Sequence, residues 1–159
     1  MLTNKRLSGT AKSRHSFIPI PKAKIMTNTE CIERAKIFYE LLLSDFSAIQ
    51  ADYLAEKFSW ENPLPENIPF GGIYEGADGL LQYLGAINEA IEMSPLHFTD
   101  IVANDHVVSL IGIEENTLVR STGRRYTMPF VHVIRFDADG RVSHVREYND
   151  TREMVVAFG

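Results

Sequence analysis

The feature that most constrains this chain is a change of period: after Pro95 the apolar spacing switches from three-and-four to two. The segments 96–104, 106–120, 125–136 and 141–149 are rich in Val, Ile, Thr, Phe and Tyr. They are separated by Asn104-Asp105, Thr122-Gly123 and Asp137-Ala138-Asp139-Gly140, which carry hairpin-turn residues. Four long strands joined in this way make an antiparallel meander, and a meander with one apolar face needs cover.

The first half supplies the cover. From 28 to 44, Cys31, Ile32, Ala35, Phe38, Tyr39, Leu42 and Leu43 form one stripe of an amphipathic helix. Thr27 and Glu30 have capping-box spacing at its start. A shorter helix follows Ser47, and 57–62 reads as a strand. Pro63, Pro65 and Pro69 then force an extended loop ending at Gly71-Gly72, whose glycines serve loop geometry. A further helix spans about 77–92, with Leu80, Leu81, Leu84, Ile87 and Ile91 on its buried side and Asn88 at the edge. Asp150 caps a short final helix, with Glu153 as its partner. The class is α+β: a curved antiparallel sheet wrapped around three helices, with a conical internal pocket.

Charge divides the chain. Residues 1–25 hold six Lys or Arg and no acid, whereas the whole chain of 159 residues carries a net charge of −5. The basic head reads as a disordered tail, with organellar transit as the second reading, and the folded domain is expected over 26–159. An acidic body lacks the clustered basic face that phosphate backbones require, so nucleic acid is not an expected partner. No apolar run approaches the roughly 18 residues of a membrane span. A single cysteine, Cys31, excludes an intramolecular disulfide, is read as packing, and points to a reducing, cytoplasmic setting. The five histidines form no two-His helical motif, and no Ser or Cys sits in a nucleophile turn. Neither a metal nor another cofactor is expected, and proton transfer is the chemistry that remains.

Strand alternation selects the residues for it. Phe130, His132, Ile134 and Phe136 share one face of their strand; Ser143, Val145, Glu147 and Asn149 share one face of the next. If Asp139-Gly140 is a two-residue loop, His132 lies directly across from Glu147. A four-residue loop makes them diagonal neighbours, and a three-residue loop separates them. The bulky apolar side is the inner one, so His132 and Glu147 become polar groups in an apolar chamber. Burial there is expected to raise the Glu147 carboxyl toward neutrality. Trp60 and Tyr53 are candidates for the chamber lining. The alternative is that the two polar residues simply satisfy each other.

The fragments Trp60-Glu61-Asn62-Pro63, Tyr74-Glu75-Gly76, Gly123-Arg124-Arg125 and Arg146-Glu147-Tyr148-Asn149-Asp150 resemble the SnoaL-like branch of the nuclear transport factor 2-like superfamily, over residue 28 to the end. The resemblance implies a cystatin-like cone that dimerises through its outer sheet face, and members that include polyketide cyclases, ketosteroid isomerases and epoxide hydrolase-like enzymes. Asn62 falls where ketosteroid isomerases carry their basic Asp, and an amide is no base. His132 falls at their hydrogen-bond-donating carboxyl, and Glu147 at the last-strand acid of the cyclases. The stretch Leu110-Ile111-Gly112-Ile113-Glu114-Glu115 lacks the Arg that the epoxide hydrolases also need.

Three functions follow as expectations. The first is a cofactor-independent isomerase, cyclase or dehydratase acting on a small apolar carbonyl compound, with Glu147 and His132 catalytic. Asn62, Trp60, Tyr53, Phe130, Val145 and Asn149 would then bind substrate. The second is a non-catalytic protein that binds a small hydrophobic ligand, with an epoxide hydrolase-like enzyme as a further alternative. The third is a structural dimer whose cone is filled by its own side chains.

Overall fold

The computed structural model describes residues 26–159, so the basic segment 1–25 lies outside the described residues. Four helices and seven strands follow one another: α1 (Asn28–Leu42), α2 (Phe46–Ala48) running into a π-turn (Ile49–Tyr53), β1 (Leu54–Asn62), β2 (Gly72–Glu75), α3 (Gly76–Ala90), β3 (Ile91–Glu92), β4 (Leu96–Asn104), β5 (Val107–Val119), β6 (Arg125–Phe136), β7 (Val142–Asn149) and α4 (Arg152–Phe158). The expected capping box is present: the Thr27 hydroxyl accepts the Glu30 N–H, and the Glu30 carboxylate accepts the Thr27 N–H.

The meander forms as the turn signals require, β4 to β7 pairing consecutively and antiparallel. The sheet as a whole is mixed rather than antiparallel, because β1 enters it parallel to β7. Two short strands gave no readable period: β2 pairs with β1, and β3 with the end of β5. Gly72, at φ +137°, turns the proline loop into β2. The sheet curls around α1 and α3, whose Cys31, Ala35, Phe38, Leu80 and Tyr83 are buried against Trp60, Leu110, Ile134 and Val145.

Three helix expectations shift. Leu43 and Leu81 are exposed, and the inward side of α3 is Gly79, Leu80 and Tyr83. A Cβ at Gly79 would come within 2.9 Å of the Tyr74 backbone, so the helix approaches β2 through that glycine. Asp150 sits one residue before the cap position, which Thr151 holds without a side-chain bond: the Asp150 carboxylate accepts the Arg152 N–H at 3.4 Å and pairs with its guanidinium at 2.6 Å, and Glu153 accepts the Thr127 N–H.

The β6–β7 turn differs from both favoured loops. Asp137 and Arg141 are hydrogen-bonded across a three-residue loop, and Phe136 faces Val142. Ser143 is then skipped as a bulge, and Arg135 faces His144. Val142 and Val145 both face inward, while Ser143 does not share the face of Val145 as alternation alone had implied. The outer face carries His144 and Arg146, both beside Glu61 of β1, with an Arg146–Glu61 pair at 2.5 Å.

Candidate active site

Between α1, α3 and the concave sheet lies a cavity of about 670 Å³, within the size range of small-molecule sites. Its walls are largely apolar, with Phe70, Leu84, Ile87, Phe98, Ile101 and Met128 among them. Into this wall the local periodicities bring one polar centre. Burial alternates along β1, which turns Trp60 and Asn62 inward. The same alternation on β6 and, past the bulge, on β7 turns His132 and Glu147 inward. Helical spacing from the buried Ala35 and Leu80 sets Tyr39 and Tyr83 beside them.

His132 and Glu147 are directly paired, each 5% exposed, with Nε2 and Oε2 3.5 Å apart. Glu147 Oε1 accepts the Trp60 indole N–H at 2.7 Å and the Tyr83 hydroxyl in a very short hydrogen bond. Oε2 accepts the Asn149 amide at 2.9 Å. Asn62 donates to the Tyr83 oxygen at 3.0 Å and accepts from Asn149 at 3.2 Å, so it braces the centre. On the other side of the imidazole, Nδ1 lies 2.7 Å from the Tyr39 hydroxyl. An ionised carboxylate offers only acceptors, which favours a ring proton on Nε2 toward Glu147; in that tautomer Nδ1 accepts from Tyr39.

The expected rise of the Glu147 carboxyl is overturned. Desolvation is the largest single influence and does push it up, but the His132 ring and the hydrogen bonds from Tyr83 and Asn149 together outweigh it, and the group is held below its ordinary value. Alternation predicts burial; it does not predict how many donors from other elements surround the buried group. Tyr39 and Tyr83 are pushed well above the ordinary phenol range by burial and by the same carboxylate.

Of the residues expected here, Trp60, Asn62, Phe130, His132, Glu147 and Asn149 line the cavity. Tyr53 does not: it sits in the π-turn with the Arg34 guanidinium 4.7 Å over its ring. Nor does Val145, which is fully buried in the core beside Ile134. Sequence reasoning missed Tyr39, placed only in an apolar stripe, and Tyr83, absent from any stripe. It also passed over Glu114, which is buried in the cavity wall with a carboxyl raised by desolvation. A tyrosine at a helical core spacing with a carboxylate on the facing strand is the signal that would have found the first two. Among the described residues no cluster of three or more His, Cys, Asp or Glu could hold a metal ion, and no helix is long and apolar enough to cross a membrane.

Residues 38–145 match the SnoaL-like domain family. The fold is shared with an NTF2-like protein from Burkholderia xenovorans, at 26% identity and a TM-score of 0.74 over 84% of this chain and 99% of that one. An NTF2-like protein of unknown function from Burkholderia pseudomallei is similar at 25% identity and a TM-score of 0.69, over 84% and 98% of the two chains. TerC, co-crystallised with polyporic acid, shares the fold at 22% identity and a TM-score of 0.67, over 80% and 97%. No curated protein matches the chain.

Proposed function

This chain belongs to the SnoaL-like domain family, and on that premise we propose that it is a cofactor-independent acid/base enzyme of the isomerase, cyclase or dehydratase type, acting on a small, largely apolar carbonyl compound. The observation that carries this reading is the unequal loading of the Glu147 carboxylate. Oε1 has both lone pairs engaged, by Trp60 and Tyr83, whereas Oε2 takes one close hydrogen bond and meets His132 only at 3.5 Å. Oε2 is therefore the oxygen able to accept a proton. In the reaction it removes a proton from the carbon next to the substrate carbonyl, and the C–H electron pair moves into an enolate. Nε2–H of His132 stands beside Oε2, where it can hydrogen-bond the enolate oxygen, and Nδ1, accepting from the Tyr39 hydroxyl, keeps the ring in that tautomer; the protonated Oε2 then returns its proton to a second carbon. Because the carboxyl is held low, Glu147 starts as the base rather than as the acid. Asn149 Oδ1, buried without a hydrogen-bond partner, is the acceptor left for a substrate hydroxyl.

The decisive variant is Glu147→Gln, assayed by turnover of cyclisable or enolisable ketones. It keeps the fold and the ligand affinity and loses most turnover; unchanged turnover overturns the assignment. A second reading, a binding protein of the same shape, is favoured by one observation: the polar centre satisfies most of its own hydrogen bonds. Ligand recovered unchanged from both forms supports it. The epoxide hydrolase reading is weaker, since no arginine among the described residues lines the cavity. We further propose a homodimer through the outer sheet face, where Ile111, Ile113, Val131 and Val133 are only half-buried.

A further inference from the structure

The cavity has a second carboxyl that the Glu147 centre does not use. Glu114 lies on the inner face of β5, 4% exposed. Its Oε1 accepts the Thr117 hydroxyl at 2.5 Å and the Tyr126 hydroxyl at 3.3 Å. Its Oε2 has no hydrogen-bond partner among the described residues, although the side chain lines the cavity. With no such partner that oxygen opens onto the cavity, and a polar group of a molecule held there is its natural partner.

Its position relative to Glu147 defines the occupant. Glu114 faces Met128 across the β5–β6 ladder, and Glu147 faces His132 across the β6–β7 ladder. Met128 and His132 are four residues apart on the same face of β6, roughly 13 Å of strand, with Phe130 between them. The chamber thus carries an oxygen-binding group at each of two separated points along an apolar, aromatic wall.

We propose that Glu114 anchors the ligand through Oε2, hydrogen-bonding an oxygen at the end remote from Glu147, so that the substrate is an elongated apolar ring compound with an oxygen function at both ends. This rests on the cavity being a substrate chamber. Desolvation, with the Glu147 charge adding to it, pushes the Glu114 carboxyl up against the opposing hydrogen bonds from Thr117 and Tyr126. The neutral acid is thereby favoured, and its O–H on Oε2 can donate to a carbonyl, which a carboxylate could not do.

The test uses two probes that differ by one oxygen, para-phenylphenol and para,para′-biphenol, and reads binding from the emission of Trp60, the only tryptophan in the chain. The wild-type protein should bind the diol about tenfold more tightly, the value of one well-placed hydrogen bond. Glu114→Met, similar in length but unable to hydrogen-bond, should lose that preference and keep its affinity for the mono-ol, while Glu114→Gln should retain it. Equal affinity of the wild type for the two probes, or a preference that survives in Glu114→Met, overturns the proposal while leaving the Glu147 reading intact. Failure of both probes to bind the wild type overturns the chamber itself. Should Glu114→Met not fold, carbon-13 NMR of the wild-type carboxyl decides: its signal must move with the diol and stay with the mono-ol, and any other pattern is against the anchor.

Discussion

His132 stands directly across the β6–β7 ladder from Glu147 because Ser143 is pushed out of it. The three-residue loop between Asp137 and Arg141 alone would have placed His132 opposite Arg146 and turned Glu147 outward. One skipped residue restores the pairing, so the polar centre depends on a bulge two residues from the turn. The Ser143 hydroxyl donates to the Arg135 carbonyl at 3.1 Å across the irregularity. Deleting Ser143 leaves Val142 opposite Phe136 and His144 opposite Arg135, now without a bulge. The deletion variant should therefore fold and keep the His132–Glu147 pair, checked by the cross-strand NMR contacts of His132. Loss of those contacts would show that the bulge sets the local twist as well as the count.

The Glu147 centre is expected to matter for stability as well as for turnover. Replacing Glu147 by Leu removes the acceptor of the buried Trp60 N–H and Tyr83 O–H, each worth about 1–3 kcal/mol when left unmade. Urea unfolding should show a loss of roughly 3–5 kcal/mol. Glu147→Gln keeps one acceptor oxygen and should lose about 1–2 kcal/mol. If Leu costs no more than Gln, the donors find other partners and the centre is not built around the carboxylate.

The two buried carboxyls predict opposite responses to pH. The folded protein holds Glu147 below its ordinary value, so the stability it contributes is present above the unfolded value of about 4.3 and is lost as pH falls through the folded one. Glu114 is raised, so the folded state retains its proton where the unfolded chain has released it, and stability is lost as pH rises through the folded value. Relative to wild type, Glu147→Gln should become less unfavourable on acidification below about pH 4. Glu114→Gln should become more favourable as pH rises from about 4 toward the raised folded value. Urea melts across that range read both, and parallel curves for the two variants would contradict the assignment.

Much of the frame was legible because it depends on period and turn chemistry. The four meander strands, the capped α1 and the inward face holding Phe130, His132 and Ile134 all follow from local pattern. What was not legible depends on elements meeting in space. The parallel entry of β1 beside β7 leaves no local trace, yet it is what brings Trp60 and Asn62 to Glu147. Tyr83 stands at helical spacing from Leu80, but nothing local says that α3 approaches β2 at Gly79 or that its hydroxyl meets a strand carboxylate. Tyr53 and Val145 were misplaced for the converse reason: an aromatic next to a strand, or an inward parity, says buried or near without saying against what.

The outer face makes an independent prediction. Val131 and Val133 point away from the cavity, paired with Ile111 and Ser109, and Val102 beside Ser109 on β4 is 58% exposed. A sheet face of this composition is suited to a second copy, by burial of apolar area. Sedimentation of the wild type should give a dimer, and the Val131→Lys, Val133→Lys double variant a folded monomer. A monomeric wild type sinks the dimer and leaves the cavity argument untouched.

Tyr39 sets the tautomer that His132 presents to the carboxylate. Its hydroxyl is 2.7 Å from His132 Nδ1, and its ring lies against both the imidazole and Trp60. Tyr39→Phe keeps those ring contacts and removes only the donor, so the stability loss should be near 1 kcal/mol. Nitrogen-15 NMR of the His132 ring should show the proton on Nε2 in the wild type and a changed Nδ1 signal in the variant, because that nitrogen loses its hydrogen bond. If that tautomer is what places Nε2–H on the enolate oxygen, turnover of the same ketones should fall at least tenfold with KM little altered, since the hydrogen bond acts on the charge that develops in the reaction and not on the apolar body of the substrate. Wild-type turnover together with the changed Nδ1 signal would reduce Tyr39 to a structural partner of the histidine, and the enolate oxygen would then have to be held by another donor.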